Sequence, residues 1–494
     1  MNRPIRRVGL VVGILLLALV VNLNWVQVVK SDAYRSDPQN RRVLLDEYSR
    51  QRGSIVVQGK PIAQSVATND RLKYLRKYPS GPVYAPLTGF YSLYYGDTAL
   101  ESLENKVLSG SDDRLFGNRV TDLLTGRDPR GGNVELTINA AAQEAAYKAM
   151  AKQKGAVVAM DPSTGAILAA VSFPSYDPSL LSSHDPDKIE AAYKKLSTDP
   201  SQPMLNRALD QLYPPGSVFK VVVSAAALKA GKKPTDRIPA PDRLPLPGTS
   251  SAAITNFDGE RCGDGKTDTL DNALTISCNT AFAKLGIDLG GSALRDEAAL
   301  FGINDQSRSC PLPVAASTLG AMSDQAAVAQ SSIGQRDVRI TPLQGAMISA
   351  AVANNGVLMK PYLVKQEVAP NLAVLSRTSS QQLSTVLDPD LDDQLKNMML
   401  NVVKQGTGTS AQIDGVEVAG KTGTADTGRT LPNGNPEQPD AWFSGFAPVS
   451  NPKIAVAVIL ENAGVAGDEV TGGKAAAPIA RAVIQAYLAA TKGR

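Results

Sequence analysis

Residues 211–231 read "QLYPPGSVFKVVVSAAALKAG". Two prolines and a glycine lead into Ser217, Lys220 follows three residues later, and an apolar run comes next. Gly216 and the prolines stop any earlier helix, so the spacing predicts a helix from Ser217 to a C-terminal stop at Gly231. Val221, Val222 and Val223 are β-branched, so burial rather than propensity must hold it. Residues three apart share a helical face, which lets Lys220 lean back onto Ser217. A helix N-terminus also offers free N–H groups and positive potential where attack by a serine would create an oxyanion. Lysine is ordinarily too basic to accept that proton, but burial and a second nearby cation depress its pKa. Lys220 is therefore a base for Ser217 that needs no histidine. The chain has one histidine, His184 in "LSSHDPD". It lies in a polar stretch where Asp185-Pro186 begins a helix, and it is expected at the surface rather than in a Ser-His-Asp triad.

Ser-x-x-Lys is a short pattern, expected roughly once or twice by chance in such a chain. On its own it reads equally as a capping serine with a solvated lysine. Two further stretches change this. "ALTISCNTAF" contains Ser277-Cys278-Asn279, and "VAGKTGTAD" contains Lys421-Thr422-Gly423-Thr424. Ser277 can relay a proton toward a leaving amine, and Asn279 can hold a substrate amide. Lys421 supplies the second cation beside Lys220 and attracts a carboxylate, to which Thr422 and Thr424 offer hydroxyls. Gly423 lets a strand approach bound substrate closely. Singly, these are an ordinary turn or cap and an ordinary edge strand. In the order Ser-x-x-Lys, Ser-x-Asn, Lys-Thr-Gly they form the penicillin-recognising signature.

At 494 residues the chain suggests two or three domains, and 43% hydrophobic against 20% charged residues argues for a sizeable core. The net charge of +4 is small for this length and no basic cluster stands beside aromatics, so a nucleic-acid groove is not expected. Arg3, Arg6 and Arg7 precede an uncharged segment, Val8 to Val29, long enough to span a bilayer. Asn22, Asn24 and Gln27 weaken its outer end, and Trp25 suits the far interface. A cleaved signal peptide is the competing reading, but no A-x-A-like site follows. The arginines are expected in the cytoplasm and everything beyond Lys30 outside. Cys262, Cys278 and Cys310 all lie in the exported part, where a disulfide persists, and the odd count leaves at least one thiol unpaired within the chain. Our preferred pairing is Cys262–Cys278, although sequence alone does not choose among the pairings. No spacing suggests zinc; neither metal nor cofactor is expected.

Four regions follow: a tail at 1–7, the anchor at 8–29, a non-catalytic pedestal at 30–152 and a catalytic domain at 153–494. "RVLLDEYSRQRGSIVVQGKPIAQSV" alternates like short strands, but the pedestal carries no recognisable chemistry. "TGRDPRGGNV" is rich in turn formers, and "AAAQEAAYKAMAKQK" reads as a helix. "GAVVAMDPSTGAILAAVSF" reads as a β-hairpin. "GVEVAGKTGTAD", "AWFSGFAPVS" and "NPKIAVAVILEN" give three more strands, and "AAAPIARAVIQAYLAA" a closing helix. Strands at both ends with Ala-rich helices between them suggest an α+β fold, one sheet assembled from distant segments with helices packed on it.

The chain resembles the class B penicillin-binding proteins, membrane-anchored D,D-transpeptidases of peptidoglycan synthesis, over nearly its whole length. It is most like the short elongation- or septation-type enzyme of high-GC Gram-positive bacteria. Besides the three motifs, "NRRVLLDEYSRQRGSI" resembles the family's pedestal. "GGNVELTINAAAQEAA", "GAVVAMDPSTGAILAAVSFPSYDP", "YPPGSVFK", "IGQRDVRITPLQ" and "AGKTGTA" resemble its transpeptidase domain. The resemblance implies a five-stranded antiparallel sheet flanked by helices with a helical subdomain. It implies Ser217 as the acylated nucleophile, Lys220 as its base, Ser277 and Asn279 on a second wall, and Lys421, Thr422 and Thr424 on the substrate-facing strand. The backbone N–H groups of Ser217 and Thr424 would form the oxyanion hole. Cys278 stands at the variable middle of Ser-x-Asn, so a disulfide there would stiffen or distort that wall. The implied donors are stem peptides, with β-lactams as covalent inhibitors.

Fewer than about 130 residues separate anchor and catalytic domain, too few for an added glycosyltransferase. Glycan polymerisation is then expected from a membrane-embedded glycosyltransferase partner, among other elongation or division proteins. A β-lactamase would need a glutamate to activate water, and no loop motif supplies one. D,D-carboxypeptidase activity is harder to exclude. A non-catalytic scaffold or receptor would be expected to have lost a motif residue or to carry a larger signalling part.

Overall fold

Five strands, β1 (Gly155–Met160), β2 (Ile167–Phe173), β3 (Ala419–Ala425), β4 (Asp440–Ala447) and β5 (Ile454–Leu460), form one sheet in the computed structural model. Their order is β3-β4-β5-β1-β2, and every pairing is antiparallel. The structure describes residues 2–30, 34, 48–126, 130–150, 153–305, 309–431, 434, 435, 437–463 and 472–492. The β1–β2 hairpin closes where Asp161 Oδ1 accepts from Ser163 N at 2.9 Å and Ser163 Oγ at 2.7 Å, with Gly165 at φ +83°.

The strands of this sheet read as unbroken apolar runs because both of its faces are covered. Alternate residues point to opposite layers. Val157, Ala159, Val456 and Val458 pack with Ala142 and Ala146 of helix α1 (Ala140–Ala149) and with Ala480 and Val483 of helix α5 (Gly472–Thr491). Ala156, Val158, Ala455 and Ala457 pack in the opposite cluster with Ala346 and Met347 of helix α4 (Pro342–Ala353). All of α4 is buried, so it is apolar all round. Its start is set by Thr341, whose Oγ1 accepts from Gln344 N at 3.1 Å, with Pro342 at the first position.

The helix expected from Ser217 begins later. Gly216–Phe219 is a 3₁₀ turn, and helix α2 runs Lys220–Lys229. Neither Pro214 nor Pro215 has an N–H, and Gly216 sits at φ +52°, so the chain enters through a tighter i→i−3 turn, Val218 N to Pro215 O at 3.3 Å. Lys220 to Leu228 are all buried, which is what holds this valine-rich helix.

The pedestal sheet is not confined to the segment before residue 152. Its six strands run in the order Val374–Arg377, Val364–Val368, Asn133–Leu136, Ile55–Val57, Lys60–Ala67, Tyr74–Lys77. Two of them come from far along the catalytic segment, so the two regions share a sheet instead of meeting at a linker. The start of the alternating stretch (residues 42–47), part of the turn-rich boundary (127–129) and residues 151–152 at the expected cut lie outside the described residues.

Under this sheet Glu101 is fully buried, with its carboxylate accepting from Arg52 Nε (2.6 Å), Arg76 Nε (2.7 Å) and the Tyr78 hydroxyl (3.0 Å). Burial pushes the Glu101 carboxyl up, but Arg76 and Arg52 outweigh it and hold it below its ordinary value. His184 departs from the surface expectation. Its side chain is 19% exposed, Nδ1 meets Asp70 Oδ2 at 2.5 Å and Nε2 meets Tyr74 O at 3.1 Å. It pins the 183–185 loop to the pedestal.

At the N-terminus a helix from Asn2 to Asn24 continues as a π turn over Trp25–Val29. Within Arg3–Val29 an 18-residue stretch reaches a mean hydropathy of 2.3 and none of that stretch is buried, which is consistent with a single-pass membrane anchor.

Candidate active site

The turn before Ser217 lies flat against β3 because glycines allow it. A Cβ on Gly216 would sit 2.5 Å from Thr424 O, and one on Gly423 would sit 2.8 Å from Pro215 O. Gly216 N donates to Gly334 O at 3.0 Å, and Trp442 Nε1, from β4, donates to Pro214 O at 2.9 Å. These two hydrogen bonds, with the close approach that the glycines permit, fix the approach to Ser217.

Opposite it stands the Ser277–Asn279 wall. Ser277 has φ +66°, a left-handed conformation that costs a non-glycine residue of order 1 kcal/mol or more and concentrates at functional sites. Helix α3 (Asn279–Leu289) starts immediately after it, with Cys278 at the cap position and no cap of its own. The cap comes from a remote loop: Asn256 Oδ1 accepts from Asn279 N at 2.9 Å and Thr280 N at 3.0 Å. Cys278 is bonded to Cys262, tying that loop to the wall a second time, and the buried Cys310 is in neither half of that disulfide.

The expected pairing of Lys220 with Ser217 is not what the resting geometry has. Lys220 Nζ is within hydrogen-bonding distance of Ser277 O (2.6 Å), Asn279 Oδ1 (2.7 Å) and Ser277 Oγ (3.3 Å), and among the described residues none of its hydrogen bonds reaches Ser217. Lys421 Nζ donates to Ser277 Oγ at 2.9 Å and to Thr422 O at 3.0 Å. Ser277 Oγ therefore sits between two amines. Both lysines are fully buried, and among the described residues neither is paired with a carboxylate. Burial, and after it the charge of Lys421, holds the Lys220 amine well below its ordinary value. Burial alone pushes Lys421 down to about 7. Phe282, with its ring centre 5.5 Å from Lys220 Nζ, completes the apolar surround.

Ser217, Ser277, Asn279, Thr422, Gly423 and Thr424 line one cleft of about 580 Å³. Thr422 Oγ1 meets Thr407 Oγ1 at 2.5 Å, and Thr424 Oγ1 accepts from Gly472 N at 3.4 Å, so each hydroxyl is oriented from behind the strand. Every residue singled out for the site falls on this cleft or, for Lys220 and Lys421, in the buried cluster joined to it through Ser277. Asn256, Gly334, Thr407 and Trp442 were not found from sequence. Asn256 caps a helix 23 residues away, a spacing that leaves no local signal.

Such an arrangement, a serine on a rigid turn sharing a cleft with a wall that joins it to two buried amines, suits acyl transfer through a covalent intermediate. Comparison with known proteins agrees. Residues 155–485 match the penicillin binding protein transpeptidase domain, and residues 52–134 the penicillin binding protein A dimerisation domain. The chain is 49% identical over 493 residues, 99% of both chains, to peptidoglycan D,D-transpeptidase PbpA of Mycobacterium tuberculosis. It is 48% identical over 495 residues, again 99% of both, to its namesake in Mycolicibacterium smegmatis. The solved ceftriaxone acyl-enzyme complex of penicillin-binding protein A from M. tuberculosis superposes with a TM-score of 0.86 at 49% identity, covering 90% of this chain and all of that one. The penicillin G acyl-enzyme complex gives 0.84 at 48%, covering 89% and 100%. With a transpeptidase domain behind a dimerisation domain, and near half of its residues shared along the full length, the chain belongs to the class B penicillin-binding proteins, the peptidoglycan D,D-transpeptidases.

Proposed function

We propose that Ser217 is the nucleophile and unprotonated Lys220 its base in cross-linking peptidoglycan stem peptides. The observation that carries this reading is the burial of Lys220 beside Lys421 with no carboxylate partner among the described residues, which lowers its pKa and favours the neutral amine that can accept a proton. Ser217 Oγ attacks the carbonyl of the penultimate D-alanine while Lys220 takes its proton. For this step the amine turns from Asn279 toward Ser217, a rearrangement compatible with the loose catalytic contacts common in free enzymes. The N–H groups of Ser217 and Thr424 accommodate the oxyanion. Ser277, hydrogen-bonded to both lysines, passes the proton to the departing D-alanine nitrogen. The amine of a second stem then attacks the ester and releases Ser217. β-Lactams follow the first half of this path; their leaving group stays attached, so the adduct is long-lived.

Asn279 holds the donor amide, and Lys421, Thr422 and Thr424 hold its carboxylate. We read 1–7 as cytoplasmic, 8–29 as the anchor, 30–152 with the strands it shares as the pedestal, and 153–494 as the transpeptidase domain outside the cell. A membrane-embedded glycosyltransferase working with the anchor and pedestal, in elongation or division, would supply the glycan.

The test is a denaturing-gel time course of the protein with a fluorescent penicillin, beside Ser217→Ala. An adduct that persists for hours and is absent from the variant is expected. No adduct on folded wild-type protein contradicts the mechanism.

A further inference from the structure

The turn that carries Ser217 is held from two sides. On one side β3 and β4 fix Pro214, Pro215 and Gly216. On the other side is Tyr213, almost fully buried, whose backbone pairs both ways with Ile340 (2.9 and 2.8 Å) and whose ring meets Trp442 edge-on at 6.2 Å. The Tyr213 hydroxyl donates to Glu461 Oε1 at 2.7 Å.

Glu461 follows directly on Leu460, the last residue of β5. Its N–H donates to Lys154 O at 2.7 Å. Oε1 also accepts from Arg207 Nε at 2.9 Å, and Oε2 pairs with Lys154 Nζ at 2.8 Å. Arg207 is fully buried, and its other nitrogens are committed to Ser201 O (2.7 Å) and Gln202 O (3.0 Å). The carboxylate is thus immobilised at the end of the central sheet by two cations, and among the described residues its one neutral donor is Tyr213. Hydrogen bonds to an ionised acceptor are the short, strong kind.

We infer that Glu461 is a positioning residue for acylation, fixing Ser217 through the Tyr213 hydroxyl and the Tyr213–Gly216 turn. The inference rests on the acyl-enzyme reading of Ser217. Glu461 does not line the cleft with Ser217, so any effect on the chemistry is transmitted through the turn. Near-attack geometry is unforgiving: displacement by an ångström costs on the order of a hundredfold in rate.

The experiment is acylation by a fluorescent penicillin over a range of concentrations, separating the limiting rate from the half-saturating concentration. Wild type is compared with Tyr213→Phe, Glu461→Gln, Glu461→Ala and the Tyr213→Phe/Glu461→Gln double variant. Tyr213→Phe, which deletes one hydroxyl, should lower the limiting rate about tenfold while half-saturation moves less than about twofold. Glu461→Ala should lose at least as much. Glu461→Gln keeps an acceptor for the hydroxyl and should recover part of the loss. The double variant should lose less than the product of the single losses, because both act through one bond. Should Glu461→Ala fail to fold, Tyr213→Phe and Glu461→Gln decide. Limiting rates for both within about twofold of wild type, with folded protein, overturn the inference. Failure of the wild type itself to acylate would instead overturn the reading of Ser217.

Discussion

Two clusters of buried charge-bearing side chains treat their charges in opposite ways. In the pedestal, Glu101 is met by Arg52, Arg76 and Tyr78, so the buried charges are paired and hydrogen-bonded. In the cleft, Lys220 and Lys421 are buried as deeply, but among the described residues they share only the neutral oxygens of Ser277, Asn279 and Thr422. Pairing keeps a buried group charged, while burial without pairing drives it toward its neutral form. The first arrangement makes a brace and the second makes a base.

The largest expected effect tests the second half of that contrast. Lys220→Met should lower the acylation rate by about 10²–10⁴-fold, the usual worth of a general base. It should leave the protein folded, because it replaces an amine that burial already disfavours. Lys220→Arg should fail as badly, since guanidinium stays protonated.

Glu101→Gln should invert the pattern. Leaving Arg52 and Arg76 buried beside a neutral amide should destabilise the protein by about 3–5 kcal/mol in denaturant or thermal melts. Acylation measured well below the melting temperature should be unchanged. Because the folded-state pKa of Glu101 is depressed, its contribution is present above the ordinary carboxylate range and lost as pH falls through the lowered value. The stability gap between wild type and Glu101→Gln should therefore narrow in acid. A gap independent of pH would mean that charge pairing is not what holds the pedestal.

Asn256→Ala should cost about 1 kcal/mol, a typical cap, and slow acylation several-fold by loosening the Ser277–Asn279 wall. The smallest effect is expected at His184→Ala. Its partner Asp70 is half exposed, so the pair is worth no more than about 0.5 kcal/mol, with no change in acylation.

The two clusters were also unequally legible. The site's chemistry is carried by short contiguous motifs, so Ser217, Lys220, Ser277, Asn279 and Lys421 were nameable from sequence. The hairpin, the three later strands and the closing helix were readable because each is a continuous apolar run bounded by turn formers. The pedestal cluster was invisible, because Arg52, Arg76 and Glu101 are scattered among polar residues and become a unit only when three separate segments pack. The same holds for the strands that Val364–Arg377 adds to the pedestal sheet, and for Asn256, whose role depends on a loop folding back. Within the site, sequence gave no hint that Lys220 rests on Ser277 and Asn279, or that Ser277 adopts a positive φ. Helical spacing describes which residues share a face, but not which acceptors a long amine selects.

The most direct measurement is the pH dependence of the acylation rate constant with a penicillin that carries a free carboxylate. Burial and the charge of Lys421 lower the Lys220 amine, so the acid limb should level off well below the ordinary lysine value of about 10.4. The rate should fall above about 7 as Lys421 gives up the proton that attracts the carboxylate. A rate that instead keeps climbing through pH 9 and 10 would show that the base is an ordinary solvated amine, and would contradict the neutral, buried Lys220 on which the mechanism depends.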